Sequence, residues 1–302
     1  MSLRITRATD TIEVKTITAC IYAGPGRGKS TLGFTADKPL LLDFDHGAYR
    51  AGNRKDCVQI ESWADVSAIT ADDLAPFSTL VIDTAGRALD ALSATIIREN
   101  PKMGRGGSLT LQGFGELKSR FIGWLAFVRS FGLDVVLISH SDEKQNGDEI
   151  IERLDIQGGS KNEIYKVADV MGRLNFENGK RMLNFNPTDT AFGKNPAQLP
   201  ALEVPHYAKT PNFLGEVLAR IKAELNKQSE EQMKASSMLA DWKAKIDEAK
   251  TAEDFTKMLP TTRDADPLVR ENVQRMFSAA AKAKGFRWDK DASAFAPEQK
   301  AA

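Results

Sequence analysis

Short apolar runs bounded by turn residues recur through the first half of the chain. They are Thr16–Ala23 (TITACIYA), Pro39–Asp43 (PLLLD), Thr79–Asp83 (TLVID) and Leu133–Ser139 (LDVVLIS). Continuous rather than alternating apolar character predicts strands of a parallel sheet covered on both faces. Between the strands the period lengthens. Phe114, Leu117, Phe121, Leu125 and Val128 fall at helical spacing within a helix predicted over about 114–131, and that stripe reads as core packing. Strands alternating with helices predict a doubly wound α/β domain with a mostly parallel sheet flanked by helices. The pattern then changes. Residues 172–185 (GRLNFENGKRMLNF) place Asn178-Gly179 between alternating strands, which predicts a hairpin. Residues 186–213 are rich in proline and asparagine and read as loop with short strands. From about Gly215 the chain reads as helical and highly charged. Thr251-Ala-Glu-Asp254 predicts a capping box at a helix start. Pro267 is expected to open another helix ending near Gly285, and residues 296–302 are expected to fray. The polar stretch Asn226–Ser237 suits a linker helix or a hinge. The predicted organisation is a core over 1–213, a helical linker over 214–237 and a small C-terminal helical module over 238–302.

Composition narrows the partners. Lysine plus arginine total 41 and aspartate plus glutamate total 41, so any nucleic-acid surface must be a local patch. The polar stretch up to Lys15 is not a secretory signal, and no apolar run approaches a membrane span, so no membrane partner is expected. Of the two cysteines, Cys20 lies in an apolar strand and reads as a buried free thiol, as in a reducing cytoplasm. The expected compartment is the cytoplasm. The spacing of cysteines and histidines matches no metal motif.

One motif carries chemistry. Residues 23–30 read Ala-Gly-Pro-Gly-Arg-Gly-Lys-Ser, with an apolar strand before them and a helical stretch after. That context defines a phosphate-binding loop. Its glycines let successive backbone N–H groups converge on phosphate oxygens, and the helix N-terminus adds positive potential. Gly24, Pro25, Gly26, Arg27, Gly28, Lys29, Ser30 and Thr31 are the candidate nucleotide-binding residues. Lys29 reaches the β- and γ-phosphates and Ser30 offers its hydroxyl to Mg²⁺. Leu80-Val-Ile-Asp83 is an apolar strand ending in an aspartate, a second candidate for holding Mg²⁺ through water. The expected cofactors are ATP and Mg²⁺, although no base-selective motif separates ATP from GTP.

The segment Leu40–Tyr49 (LLLDFDHGAY) puts Asp43 and Asp45 at the end of the second strand, where a carboxylate can orient an attacking water. Here the sequence resembles the RecA recombinase core, whose Asp-x-Glu-His element follows the same strand. In that resemblance Asp45 stands for the catalytic glutamate, one methylene shorter, and His46 for the histidine after it. The likeness continues. Ser139-His140 occupies the place of the sensor residue, which gives His140 a γ-phosphate role. Residues 141–160, with Gly158-Gly159, occupy the place of the second DNA-binding loop. Residues 98–108 (RENPKMGRGGS) occupy the place of the first. The implied DNA-binding residues are Arg98, Lys102, Arg105, Lys144 and Lys161, since cationic loops can track a phosphate backbone. Phe192-Gly-Lys194-Asn195 resembles the RecA Lys-Asn-Lys segment, in which lysines act on the neighbouring subunit's ATP. Lys194 matches the first lysine, and Pro196 replaces the second.

The resemblance spans roughly residues 14–205 and is nearest to the phage AAA/RecA-type single-strand annealing ATPases. It implies an ATPase, slow and DNA-stimulated, that binds single-stranded DNA as a homo-oligomer, ring or filament, with phage recombination or replication proteins as partners. Two other functions fit the same residues. One is a nucleotide-switched loader or adaptor that binds a replication or recombination protein through its helical tail. The other is a small-molecule kinase, which would need an arginine-rich lid that the sequence does not display. In the C-terminal module Trp242, Ile246 and Ala249 share one face. Phe286-Arg287-Trp288 suits either closure of a small core or stacking on bases.

Overall fold

The computed structural model describes Thr6, Asp10 and residues 12–146, 149–156 and 159–297. Gly158 of the Gly-Gly pair, and residues 298–302 of the end expected to fray, lie outside the described residues. The elements run β1 (Thr18–Ala23), α1 (Lys29–Gly33), β2 (Pro39–Asp43), β3 (Cys57–Gln59), α2 (Ala64–Ser67), α3 (Ala71–Leu74), β4 (Thr79–Asp83) and α4 (Ala85–Glu99). There follow β5 (Gly104–Arg105), β6 (Ser108–Leu109), α5 (Leu111–Arg129), β7 (Asp134–Asn146), β8 (Glu149–Leu154), α6 (Ser160–Val167), β9 (Val170–Glu177), β10 (Lys180–Asn184) and β11 (Leu202–Glu203). The last are α7 (Phe213–Glu248), α8 (Ala252–Arg263), α9 (Arg270–Ala283), β12 (Phe286–Asp289) and β13 (Ala294–Pro297).

The chain divides into two compact units, Val14–Leu225 and a second made by residues 226–302 with residues 1–13. In the first, the sheet order is β11-β10-β9-β1-β7-β4-β2-β3, with β8 paired to β7. From β9 through β3 every pairing is parallel. β10, β11 and β8 add antiparallel strands. Alternate residues explain the apolar runs. Cys20, Tyr22, Leu42, Leu80, Ile82 and Leu137 face a core shared with α4 and α5. Ala19, Ile21, Leu41, Val81, Val136 and Ile138 face the other core, with Leu32, Phe34 and the Leu214, Val217, Leu218 and Ile221 stripe of α7. A strand buried on both faces cannot alternate with polar residues.

Three expectations are corrected. The fourth strand does not stop at Ser139. It continues to Asn146 and pairs with β8 from Ser141↔Leu154 to Asn146↔Glu149, where a polar loop was expected. Ile150 and Ile151 supply β-favouring side chains to the ladder, Leu154 is buried, and Glu152 pairs with Arg173 of β9 at 2.7 Å. Residues 98–108 likewise form more than a loop. Arg98 sits in the last turn of α4, Pro101–Met103 makes a 3₁₀ turn, and β5 and β6 close a small hairpin across Gly106 and Gly107. Pro267 does not open α9, which begins at Arg270 after a turn in which Asp266 accepts the Leu268 N–H.

The second unit has two small cores. One gathers Ile246, Phe255, Phe277 and Phe295, the other Val269, Val273, Leu239 and Trp242. The capping box at Thr251 and Asp254 opens α8. The module is not helical to its end: residues 286–297 form the β12–β13 hairpin. Phe286 packs into the core, and Trp288 meets Phe295 edge-on at 5.4 Å.

Candidate nucleotide site

β1 ends in the glycine loop. Gly26 and Gly28 have φ of 71° and 86°, a left-handed backbone that glycine adopts without strain. The loop leads into α1, whose first residue is Lys29. The Lys29 side chain curls back over the loop, with Nζ 3.0 Å from the carbonyl oxygens of Ala23 and of Gly24. It is only 6% exposed. Burial lowers its pKa, against the pull of Asp83 and Asp45 in the opposite direction.

Strand register sets the rest of the site. Ala23 pairs with His140, Asp83 with Ile138, and Asp43 with Asp83, so the carboxyl ends of β1, β4 and β2 and the middle of the longer β7 share one sheet edge. The chain leaves β1 toward β2 on one side and leaves the adjacent β7 toward β9 on the other, which makes this edge a switch point of the kind at which α/β sheets hold ligands. Asp43 is fully buried and accepts the N–H groups of Gly47 and Ala48, each at 2.9 Å. That fixes the turn that presents Asp45. His46 takes a left-handed φ of 50° and is exposed.

Asp45 lies among donors. His140 Nε2 is 3.3 Å from Asp45 Oδ2, Thr84 Oγ1 donates to Oδ1 at 3.4 Å, and Arg87 Nε is 3.5 Å from Oδ1. Burial opposes ionisation, but His140, Arg87 and Thr84 together hold the Asp45 carboxyl below the usual carboxylate range. The other His140 ring nitrogen, Nδ1, is 3.1 Å from Lys29 Nζ. His140 therefore bridges the phosphate-loop lysine and Asp45.

Asp83 is 3% exposed. Burial, with Asp45 and Asp43 nearby, pushes its pKa up to about 6, against the Ser30 hydroxyl bond and Lys29. A buried carboxylate hydrogen-bonded to a serine hydroxyl and short of positive charge fits a hard divalent cation. Ser30 would be a direct Mg²⁺ ligand and Asp83 a partner through water, with phosphate oxygens completing the shell. Among the described residues there is no cluster of three or more His, Cys, Asp or Glu suited to an all-protein metal site. A cation shared with a nucleotide does not need one.

Gly28, Lys29, Ser30, Asp45, Asp83 and His140 line one cleft of about 310 Å³, with Thr31 and Arg50 at its wall. The other predicted residues lie elsewhere. The Lys194 ammonium is 2.5 Å from the carbonyl of Ala168, just before β9 begins, at the sheet edge opposite the phosphate loop. Arg98, Lys102, Arg105 and Lys144 are exposed, and Lys161 is half-buried in the first turn of α6. Sequence reasoning passed over Arg87, Arg50 and Arg181. Arg87 carried a local signal, since it stands in the first turn of the helix after Asp83. Arg181 carried none, because only the sheet order brings it near the loop.

A parallel sheet whose carboxyl edge carries this loop, with a buried aspartate two strands away, belongs to the phosphate-loop nucleotide-binding class. Within that class, the family model described as an AAA domain matches residues 15–197, more than half of the chain, and the chain belongs to that family. It therefore carries an AAA-type ATPase domain, which implies nucleotide binding and hydrolysis with ATP and usually Mg²⁺. No curated protein matches the chain. Among solved structures it resembles a prototypical ATPase from the type III secretion system of pathogenic bacteria, at 14% identity and a TM-score of 0.34. That match covers 53% of this chain and 51% of the other, about half the length of each. Among the described residues, no helix is long and apolar enough to cross a membrane.

Proposed function

We propose that this chain is an ATPase that acts on single-stranded DNA as a homo-oligomer, in phage recombination, annealing or replication. The observation that carries the reading is the placement of His140. Its ring spans Lys29 and Asp45, and the same strand runs on without a break to Lys144 in the β7–β8 hairpin. Loop N–H groups and Lys29 bind and neutralise the phosphates. Mg²⁺, held by Ser30 and Asp83, supplies charge neutralisation at the β- and γ-phosphates when bound. Asp45, held ionised by its donors, orients a water and takes its proton as the water oxygen bonds to the γ-phosphorus. The bond from that phosphorus to the bridging oxygen breaks, ADP leaves with the electron pair, and the proton passes from Asp45 to solvent. His140, in contact with both Lys29 and Asp45, conveys the γ-phosphate's presence along β7 in this reading. Arg98 at the end of α4, Lys102 and Arg105 beside the β5–β6 turn, and Lys144 are exposed cations suited to a DNA backbone. Lys194 would act across a subunit boundary.

His140→Ala tests the coupling. It should retain nucleotide binding, slow basal turnover because Asp45 loses a donor, and lose most of the fold-stimulation by a single-stranded oligonucleotide. Full stimulation in that variant would contradict the reading. A loader or adaptor is the second reading, favoured by the separate cores of the second unit and its amphiphilic cleft of about 490 Å³ beside Trp242 and Met258. It predicts ATP binding with little DNA affinity.

A further inference from the structure

Arg181 stands on β10, opposite Phe176 on β9. Its guanidinium rests against the phosphate loop. A Cβ placed on Gly28 would lie 2.8 Å from Arg181 Nη1 and 3.2 Å from Cζ. The preceding loop residue, Arg27, sets its own guanidinium over the Phe176 ring, 5.3 Å from the centroid. The β9–β10 hairpin thus meets the loop twice, once through each of two cross-strand neighbours.

The two contacts differ in kind. Arg27 and Phe176 are both exposed and satisfy each other as a cation–π pair. Arg181 is half-buried, and its buried Nε has no hydrogen-bond partner among the described residues. Glu203 on the neighbouring β11 stands opposite Met182 and pairs with Lys180 at 2.6 Å. A partly desolvated guanidinium with unused donors is costly unless something acidic completes it. Its planar fork of N–H groups matches phosphate oxygens. Gly28, which it touches, lines the nucleotide cleft.

We propose that Arg181 contacts the phosphate chain of the bound nucleotide within the same chain, so that the β9–β10 hairpin and the phosphate loop close on the ligand together. The proposal rests on the reading of the cleft as the Mg²⁺-ATP site. It adds a second cation to Lys29, supplied from the antiparallel side of the sheet rather than from the loop. It also predicts that discrimination among adenosine mono-, di- and triphosphate depends on a residue far from the motif.

Fluorescence competition titrations with AMP, ADP and ATP in the presence of Mg²⁺, on the full chain and its Arg181→Ala and Arg181→Lys variants, test it. In Arg181→Ala, ATP and ADP should each weaken by about tenfold or more while AMP changes little, as expected for loss of a charge-assisted bond. Arg181→Lys, which keeps the charge but not the fork, should recover part of the loss. Equal weakening of all three nucleotides would mean a distorted loop, and no weakening would mean no contact; either overturns the inference. If Arg181→Ala does not fold by circular dichroism, the comparison is made with Arg181→Gln, which keeps most of the side-chain volume, and is judged by the same criteria. Failure of the unmodified chain to bind any of the nucleotides would remove the site reading itself. Binding by that chain with unchanged Arg181 variants removes this inference alone.

Discussion

Asp83 shows how a site residue can cost the fold that holds it. Its carboxyl is buried, and its pKa rises from an ordinary 3.8 to about 6 on folding. Because the folded value lies above the unfolded one, the penalty is absent below pH 3.8 and fully present above about pH 6. It amounts to about 3 kcal/mol at neutral pH. Asp83→Asn, which cannot ionise, should raise the unfolding free energy in the absence of Mg²⁺ and nucleotide by about 1–3 kcal/mol at pH 8, and by nothing near pH 3.5. Urea titrations at the two pH values measure this directly, and an equal change at both would mean that ionisation is not the cause. The same variant should lose Mg²⁺-dependent tightening of nucleotide binding. The individual residues that a sequence can reveal are those whose neighbours in the chain explain them. Lys29 and Ser30 lie inside a contiguous motif, and Asp83 ends an apolar strand. Asp45 and His140 were named through a resemblance, and the structure sets them 3.3 Å apart. Arg181 is the opposite case, since its contact with Gly28 exists only through the pairing of β9 with β1.

At the scale of elements, burial and backbone chemistry account for most of what the sequence revealed. Apolar runs became β1, β2, β4 and the first half of β7 because both sheet faces are covered. Asn178 and Gly179 close the β9–β10 hairpin with φ of 50° and 76°, the left-handed pair that a tight hairpin turn requires. The second half of β7 and the β12–β13 hairpin stayed hidden for the converse reason. Their strands are polar or short, so no long apolar run marks them, although Phe286 and Phe295 of the hairpin pack into a core. The turn offers its own test. Nothing lies within 4 Å of a Cβ placed on Gly179, so substitution there probes backbone conformation alone. Gly179→Ala should cost about 1 kcal/mol, and Gly179→Asn distinctly less, because asparagine tolerates the left-handed region. Thermal unfolding separates the two, and equal losses would place the cost in something other than the backbone angle. Because β10 carries Arg181, loosening this turn should also weaken ATP binding.

For the whole molecule, zero net charge and a cleft rich in paired charges agree with an enzyme that depends on its ligands for affinity rather than on bulk electrostatics. The candidate DNA-contacting cations lie in separate segments, from the end of α4 to the β5–β6 turn and on the β7–β8 hairpin. If they contact DNA, binding should fall steeply with salt, and assembly of several copies along a strand would multiply a weak single contact. The sequence could not reveal how such copies meet, because that depends on surface shape rather than on any local pattern. The most direct measurement is steady-state ATP hydrolysis with and without a single-stranded oligonucleotide, with Lys29→Ala as the blank. Turnover abolished in Lys29→Ala, and raised several-fold by DNA in the unmodified chain, is the predicted result. Turnover that persists in Lys29→Ala would contradict the assignment of the site, and a wild-type rate unmoved by DNA would contradict the proposed action on single strands.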